Sequence, residues 1–208
     1  MTGLGGQGIA VHCDHRDDAQ TQALVGRIRA EQGRLDILVN NVWGGYEYYH
    51  DGTEFWRETG FWTVPLSRWE AMFGAGVRAH YVASVCAAPL MIERGRGLIV
   101  TTSFSAAQRA AGAIDGPAKA ADDRMIACMA HELRSHNVAA VSLYPGLART
   151  ESVLRAAEHF DLTASQSPLF IGRMVAVLAA DPEVMGWSDW VLVAAEVARE
   201  YGVVDVDR

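Results

Sequence analysis

The chain has 208 residues, of which 50% are hydrophobic and 21% are charged, so it can fill the core of one domain and carries too little charge for a disordered chain. Its formal net charge of −7 argues against a nucleic-acid or anionic-membrane partner. The longest apolar run, residues 81–92, contains Pro89 and is shorter than the roughly 18 residues that a membrane span needs.

The N-terminal residues show no secretory signal, because no basic stretch is followed by an apolar one. The three cysteines, Cys13, Cys86 and Cys128, lie in apolar segments, and their odd number predicts reduced structural thiols. With no internal repeat or linker, residues 1–208 are expected to form a single cytoplasmic domain without a membrane segment.

The first third of the chain alternates short apolar runs with longer amphipathic stretches. A strand is predicted over 9–13, followed by a helix over 17–31 that Gly33 ends. The near-continuous apolar run at 35–40 is typical of a parallel strand buried on both faces. Ser67 is predicted to cap a long helix that reaches residue 94.

The same alternation continues to the C-terminus. Strands are predicted over 97–102, 138–144 and 190–194, and helices over 117–136, 150–159 and 168–180. Repeated βαβ units predict an α/β fold, a Rossmann-like, doubly wound parallel sheet with helices on both faces. Ligands of such sheets bind beyond the carboxyl ends of the strands, which places candidate site segments at 14–16, 40–45, 102–105 and 145–150.

Several of these segments resemble the short-chain dehydrogenase/reductase family, and within it the branch called dehydrogenase/reductase member 1. Cys13-Asp14 resembles the strand end whose Asp hydrogen-bonds the adenine. The run GRLDILVNN, ending in Asn40 and Asn41, resembles the fourth strand and its Asn-Asn-Ala-Gly motif. Pro145-Gly146, with Thr150 downstream, resembles the turn that lines the nicotinamide site. The resemblance implies NAD or NADP as cofactor, a small carbonyl or alcohol substrate, and a possible homo-oligomer.

The family's active site contains a Ser, a Tyr and, four residues after the Tyr, a Lys. Ser103 and Lys119 fall at the Ser and Lys positions, but Asp115 stands at the Tyr position, and Gly76 at the position of the active-site Asn. A carboxylate is a far weaker base than a phenolate and a poor proton donor at neutral pH. Asp115 is therefore expected to be non-catalytic. It either caps the helix that begins near Pro117 or forms an ion pair with Lys119.

Lys119 is also notable without the resemblance, because it is the one lysine among 18 basic Lys and Arg residues. A lone lysine suggests a task that needs a compact ammonium group, although an ordinary solvated lysine is the simpler alternative. Ser103, at a strand end, could donate a hydrogen bond to a carbonyl oxygen or could be an ordinary loop serine.

The glycines of GLGGQG, residues 3–8, match the spacing of a phosphate-binding turn, but the context is wrong. Such a turn follows a strand and begins a helix, whereas this one precedes the predicted strand at 9–13. We therefore expect that the chain lacks the family's first two strands and the phosphate cradle, as a truncated or decayed copy. Either the strand at 9–13 docks beside the strand at 35–40, or an unpaired edge remains. The resulting hypothesis is an impaired oxidoreductase, with a non-catalytic ligand-binding or subunit-partner domain as the alternative.

Two further patterns have mundane alternatives. Eight of the 18 aromatic residues lie within 43–62: Trp43, Tyr46, Tyr48, Tyr49, Phe55, Trp56, Phe61 and Trp62. They could wall an apolar substrate pocket, pack the loop or form a subunit contact. His131 and His136 are spaced by five residues, which puts them on different helix faces, so no metal site is predicted. No G-x-S-x-G motif surrounds Ser103, which argues against a hydrolase.

Overall fold

A computed structural model describes residues 5–45, 60–110 and 112–206. The helices are α1 (Asp18–Gln32), α2 (Leu66–Arg94), α3 (Asp115–Leu133), α4 (Glu151–Arg155), α5 (Pro168–Ala180) and α6 (Ala194–Glu200). The strands are β1 (Ile37–Asn40), β2 (Gly97–Thr102), β3 (Val138–Tyr144) and β4 (Val191–Val193). All four strands are parallel and lie in the order β1-β2-β3-β4.

Helices cover both faces of the sheet, which confirms the predicted α/β architecture. On one face, Ile99 and Ala140 pack against Met91 of α2 and Ile126 of α3. On the other face, α5 and α6 cover the alternate residues of β2 and β3, such as Val141. Residues from both central strands are fully buried because each has a strand on either side and a helix above and below.

The predicted strand at 9–13 is wrong. These residues form no strand, and Ile9 and Val11 are exposed. In the described part of the chain, residues 9–13 pair with no other strand. The backbone N–H and C=O groups of an unpaired strand can form hydrogen bonds only with water. Consequently β1 pairs with β2 alone among the described residues.

β1 is also less buried than predicted. It begins at Ile37 rather than at residue 35, and Ile37 and Val39 are 37% and 44% exposed. Their register partners in β2 are Leu98 and Val100, so they point to the face that α5 and α6 cover. Their exposure shows that these two helices do not extend over β1.

Helix α1 starts and ends as the sequence indicates. The Asp17 side chain accepts a hydrogen bond from the Ala19 backbone N–H, and Gly33 closes the helix in the left-handed conformation at φ 67°. Two ion pairs, Arg78–Asp18 and Arg29–Glu93, join α1 to α2.

Helix α2 departs from the prediction at its start and in its middle. Pro65, not Ser67, stands at the N-cap, and residues Met72–Arg78 form a wider π-helical segment. By length and composition α2 could cross a membrane, with an 18-residue window of mean hydropathy 1.2. However, 44% of that window is buried within the fold, and core helices of soluble proteins pass the same test.

The other helices shift modestly from the predicted bounds. Helix α3 starts two residues earlier than predicted, and a 3₁₀ turn at Arg134–His136 follows it. The single helix predicted over 150–159 is instead α4 followed by a 3₁₀ turn at Ala157–His159. The three cysteines form no disulfide among the described residues; Cys13 and Cys86 are half-buried, whereas Cys128 is exposed and so does not fit the predicted structural role.

Candidate active site

The carboxyl ends of β1, β2 and β3 lie side by side at one end of the sheet. Asn40 is paired in register with Thr101, and Thr102 with Leu143. Ser103 continues from β2, where its backbone N–H donates to the carbonyl of Leu143 at 3.0 Å. The predicted site segments after these three strands therefore lie together, and α3 places Lys119 beside them.

Lys119 is buried, with 7% of its surface exposed, and its ammonium group is surrounded by partners. It donates to the Thr102 carbonyl at 3.0 Å and to Asp122 Oδ2 at 3.4 Å. The Trp43 ring covers it, with 3.3 Å between Nζ and the ring centroid. Burial lowers the pKa of Lys119, and the carboxylates of Asp122 and, more weakly, Asp115 oppose that shift. Lys119 is therefore not the solvated surface lysine of the simpler alternative.

Trp43 takes the space in which the resemblance expects an asparagine side chain. A Cβ built on Gly76 would lie 2.6 Å from the Trp43 ring, so a larger residue there would displace the indole. Trp43 Nε1 is buried without a hydrogen-bond partner among the described residues. The Trp43 side chain is therefore held by contacts of its ring, which lies between Gly76 and the Lys119 ammonium.

Ser103 is buried and its hydroxyl donates to the backbone carbonyl of Lys119 at 3.4 Å. Next to it, the Tyr144 hydroxyl donates to Asp123 Oδ2. Burial and this carboxylate raise the pKa of Tyr144, while hydrogen bonding with Ser103 and Gln108 partly opposes the rise. Ser103 thus belongs to a hydrogen-bonded cluster between β3 and α3.

Asp115 does not cap α3. It is the first residue of the helix, Ile114 occupies the N-cap, and no side chain caps there. Its carboxylate attracts the Lys119 ammonium electrostatically, but the hydrogen-bonded ion pair of Lys119 is with Asp122. The helix therefore has no side-chain cap, and Asp122 rather than Asp115 forms the ion pair expected with Lys119. A position in the first helical turn still suits an acidic residue because it faces the positive end of the helix dipole.

Asp14 lies beside a cleft of about 790 Å³ that extends to Trp43. The lining includes Cys13, Asp14, His15, Arg16, Val42, Trp43, Ser67 and Glu70. A hydrogen bond from Arg16, at 3.2 Å from Oδ2, lowers the pKa of Asp14 and keeps it ionised. Asp14 therefore presents a carboxylate at one end of the cleft, at the position that the resemblance implies for adenine recognition.

Asn40 and Asn41 differ in their surroundings. Asn40 is buried and its amide donates to Ser84 Oγ at 3.0 Å and Thr101 Oγ1 at 3.2 Å, so it joins β1 to α2 and β2. Asn41 is exposed at the end of β1. Asn40 thus has a structural task, whereas Asn41 faces solvent near the cleft.

The turn after β3 is held by residues further along the chain. The Gly146 backbone N–H donates to Gln166 Oε1 at 2.9 Å, and Pro145 is half-buried before it. The Thr150 hydroxyl accepts from the Val153 backbone N–H at 3.3 Å and so caps α4. The hydroxyl of Thr150 is therefore engaged within its own helix.

The aromatic segment at 43–62 is described only in part. Tyr46, Tyr48, Tyr49, Phe55 and Trp56 lie outside the described residues. Of the others, Trp43 contacts Lys119, while Phe61 and Trp62 are 68% and 77% exposed.

Sequence reasoning missed several residues that contact the site: His80, Asp122, Asp123, Gln108, Tyr144 and Gln166. Asp122 follows Lys119 by three residues, a spacing that brings side chains together on a helix, so that one contact was visible in the sequence. The others depend on how α2, α3 and the loops pack.

The chain is similar to known proteins over most of its length. Residues 1–159 match the family model described as short chain dehydrogenase. Over 98% of its length the chain is 38% identical to dehydrogenase/reductase SDR family member 1 of Mus musculus and 37% identical to that of Homo sapiens, covering 69% of each.

A solved 7α-hydroxysteroid dehydrogenase, in complex with NADH and 7-oxo glycochenodeoxycholic acid, superposes with a TM-score of 0.72 at 24% identity. The superposition covers 92% of this chain and 74% of that one, and at this identity it supports the fold alone. The family model and the two relatives lead to one conclusion. The chain belongs to the short-chain dehydrogenase/reductase family.

Proposed function

We propose that this chain is an oxidoreductase by lineage that binds a nicotinamide cofactor weakly and is impaired in exchanging hydride with a small carbonyl or alcohol substrate. The observation that carries the proposal is the state of Lys119. Its ammonium group is hydrogen-bonded to Thr102 and Asp122 and covered by the Trp43 ring. In addition, Asp115 provides a carboxylate where the family has a phenol.

The described residues fit one end of a nicotinamide dinucleotide and not the other. The cleft beside Asp14 is roomy and lies at the carboxyl ends of the strands, as an adenosine site requires. At the other end, the Trp43 ring lies against the Lys119 ammonium, where the family's lysine meets the ribose. Residues 5–8 lead into a segment without helix or strand that reaches residue 14, so they offer a pyrophosphate no helix N-terminus.

Trp43 also favours the second candidate function, a non-catalytic domain that binds a small ligand or a partner subunit. The indole between Gly76 and Lys119 covers the Lys119 ammonium, and a domain without catalytic activity would have no need to uncover it. The two candidates differ in what happens when the indole is removed.

The test is a calorimetric titration of the purified chain with NADH and with NADPH. We expect binding weaker than micromolar for both, and micromolar affinity for either would contradict the proposed impairment. Trp43→Ala should tighten binding roughly tenfold if the indole covers a cofactor site, since a desolvated cation–π contact is worth up to about 2 kcal/mol. No gain would favour the non-catalytic domain.

Trp190→Ala is the matched control, because Trp190 is 59% exposed and precedes β4 at the opposite edge of the sheet. It should leave the titration unchanged. An equal gain from both variants would show that the tighter binding comes from general loosening of the fold.

A further inference from the structure

Asp122 lies at the centre of a buried group of charged side chains to which the proposed function assigns no role. It is fully buried in α3, where Oδ2 accepts from the Lys119 ammonium at 3.4 Å. Its other oxygen, Oδ1, lies 3.0 Å from Nδ1 of His80, which is 1% exposed. One carboxylate therefore serves two basic side chains away from water.

The His80 ring faces an acceptor at each nitrogen. Nε2 lies 2.8 Å from the carbonyl oxygen of Val42, which can only accept, so Nε2 carries a hydrogen. A neutral imidazole has no second hydrogen for Nδ1. The Nδ1–Oδ1 contact therefore needs one more proton, either on His80 as an imidazolium or on Asp122 as a carboxylic acid. The two groups hold this proton between them.

The groups around Lys119 lie close enough for this shared proton to affect the charge of its ammonium group. Helix α3 contributes Lys119, Asp122 and the weaker attractions of Asp115 and Asp123, and α2 contributes His80. The segment after β1 contributes the Val42 carbonyl and the Trp43 ring, and β2 contributes the Thr102 carbonyl. Because this site is shielded from water, the charge on one group strongly affects the charges on its neighbours.

We propose that His80 and Asp122 form a proton-sharing pair that positions the Lys119 ammonium at the end of β2 and sets how firmly it holds its charge. Both are positioning residues, since each acts through Lys119. The inference rests on the proposed function only where it places Lys119 at a cofactor site. The contacts among the three side chains do not require a cofactor.

The single lysine allows a direct experiment. Lysine labelled with ¹³C at Cε gives one side-chain signal for the whole chain, and its pH titration reports the charge of Lys119 alone. In His80→Gln, Asp122 no longer shares a proton with an imidazole, so the Lys119 pKa should rise. In Asp122→Asn, the nearest carboxylate is gone, so the pKa should fall, by about one pH unit or more.

Opposite shifts in the two variants support the proposal. No shift in His80→Gln, or shifts in the same direction, would overturn it, because a merely structural role disturbs packing without reversing sign. His136→Gln, in the exposed turn after α3, is the matched control and should leave the Lys119 titration unchanged.

If the variants do not fold, the unmodified chain decides the question. Among its seven histidines, ¹⁵N spectra should reveal one ring that keeps a proton on Nε2 and shares one at Nδ1 at neutral pH. A buried ring with an unbonded Nδ1 lone pair would refute the pair. Neither readout involves NADH, so a chain that fails the calorimetric titration can still pass or fail this test.

Discussion

The two edges of the sheet contrast sharply. At one edge, β4 has three residues, of which Leu192 packs into the core beneath α5 and α6 and Val193 is 38% exposed. At the other edge, β1 exposes two of its four side chains, Ile37 and Val39. Short, covered edges resist pairing with other chains, whereas exposed apolar edges invite it.

A hydrogen-bonded group secures the β4 edge. The Trp187 indole donates to the Tyr201 hydroxyl at 2.8 Å, and that hydroxyl donates to Asp181. The group ties the end of α5 to the turn before β4 and to the residue after α6. The β1 edge is joined to α2 through Asn40, but nothing described covers its outer apolar side chains. The difference shows that an apolar run can form a paired strand even where no described element covers its outer side chains.

Matched leucines give the largest expected difference between the edges. Leu192→Ala should cost about 2–5 kcal/mol of unfolding free energy, as is usual for a buried leucine. Leu38→Ala, at a partly buried position of β1, should cost less than half as much. Urea unfolding followed by circular dichroism measures both, and equal losses would show that the β1 edge is covered after all.

Self-association is the second way to separate the edges. We expect the unmodified chain to form dimers or aggregates through β1, and Val39→Lys should shift it toward monomer because edge charges discourage strand pairing. Sedimentation velocity over a range of concentrations measures this shift. Val204→Lys, at a position 67% exposed near the end of the described chain, is the control. An unmodified chain that stays monomeric would contradict the expectation.

The same contrast explains what the sequence could predict of the fold. The bounds of β2, β3 and α5 match the predictions, because continuous apolar runs there are covered on all sides and Ser167 caps α5. The strand predicted at 9–13 fails since its alternation is a local property, while a strand needs a neighbour. β1 was predicted to be buried on both faces for the same reason.

At the site, sequence composition pointed to Lys119, because a single lysine among so many arginines is conspicuous. Its surroundings could not be predicted in the same way. His80 reaches Asp122 across 42 residues of sequence, and Trp43 reaches Lys119 only because Gly76 leaves space for the ring. Such contacts follow from helix packing rather than from motifs.

The smallest expected effect concerns Tyr201 at the β4 edge. Burial and the neighbouring Asp181 raise the pKa of Tyr201 to about 12, against about 10 for an unfolded tyrosine. The folded state therefore favours the protonated phenol. Its contribution to stability is complete below pH 10 and is lost as the pH rises through about 12. Tyr201→Phe should thus flatten the alkaline decline in unfolding free energy between these values, measured by urea titrations at several pH values. Tyr81→Phe, at an exposed position of α2, should leave the decline as it is. If both variants retain the full decline, the Tyr201–Asp181 contact contributes nothing to this edge, and burial of Leu192 alone would account for its stability.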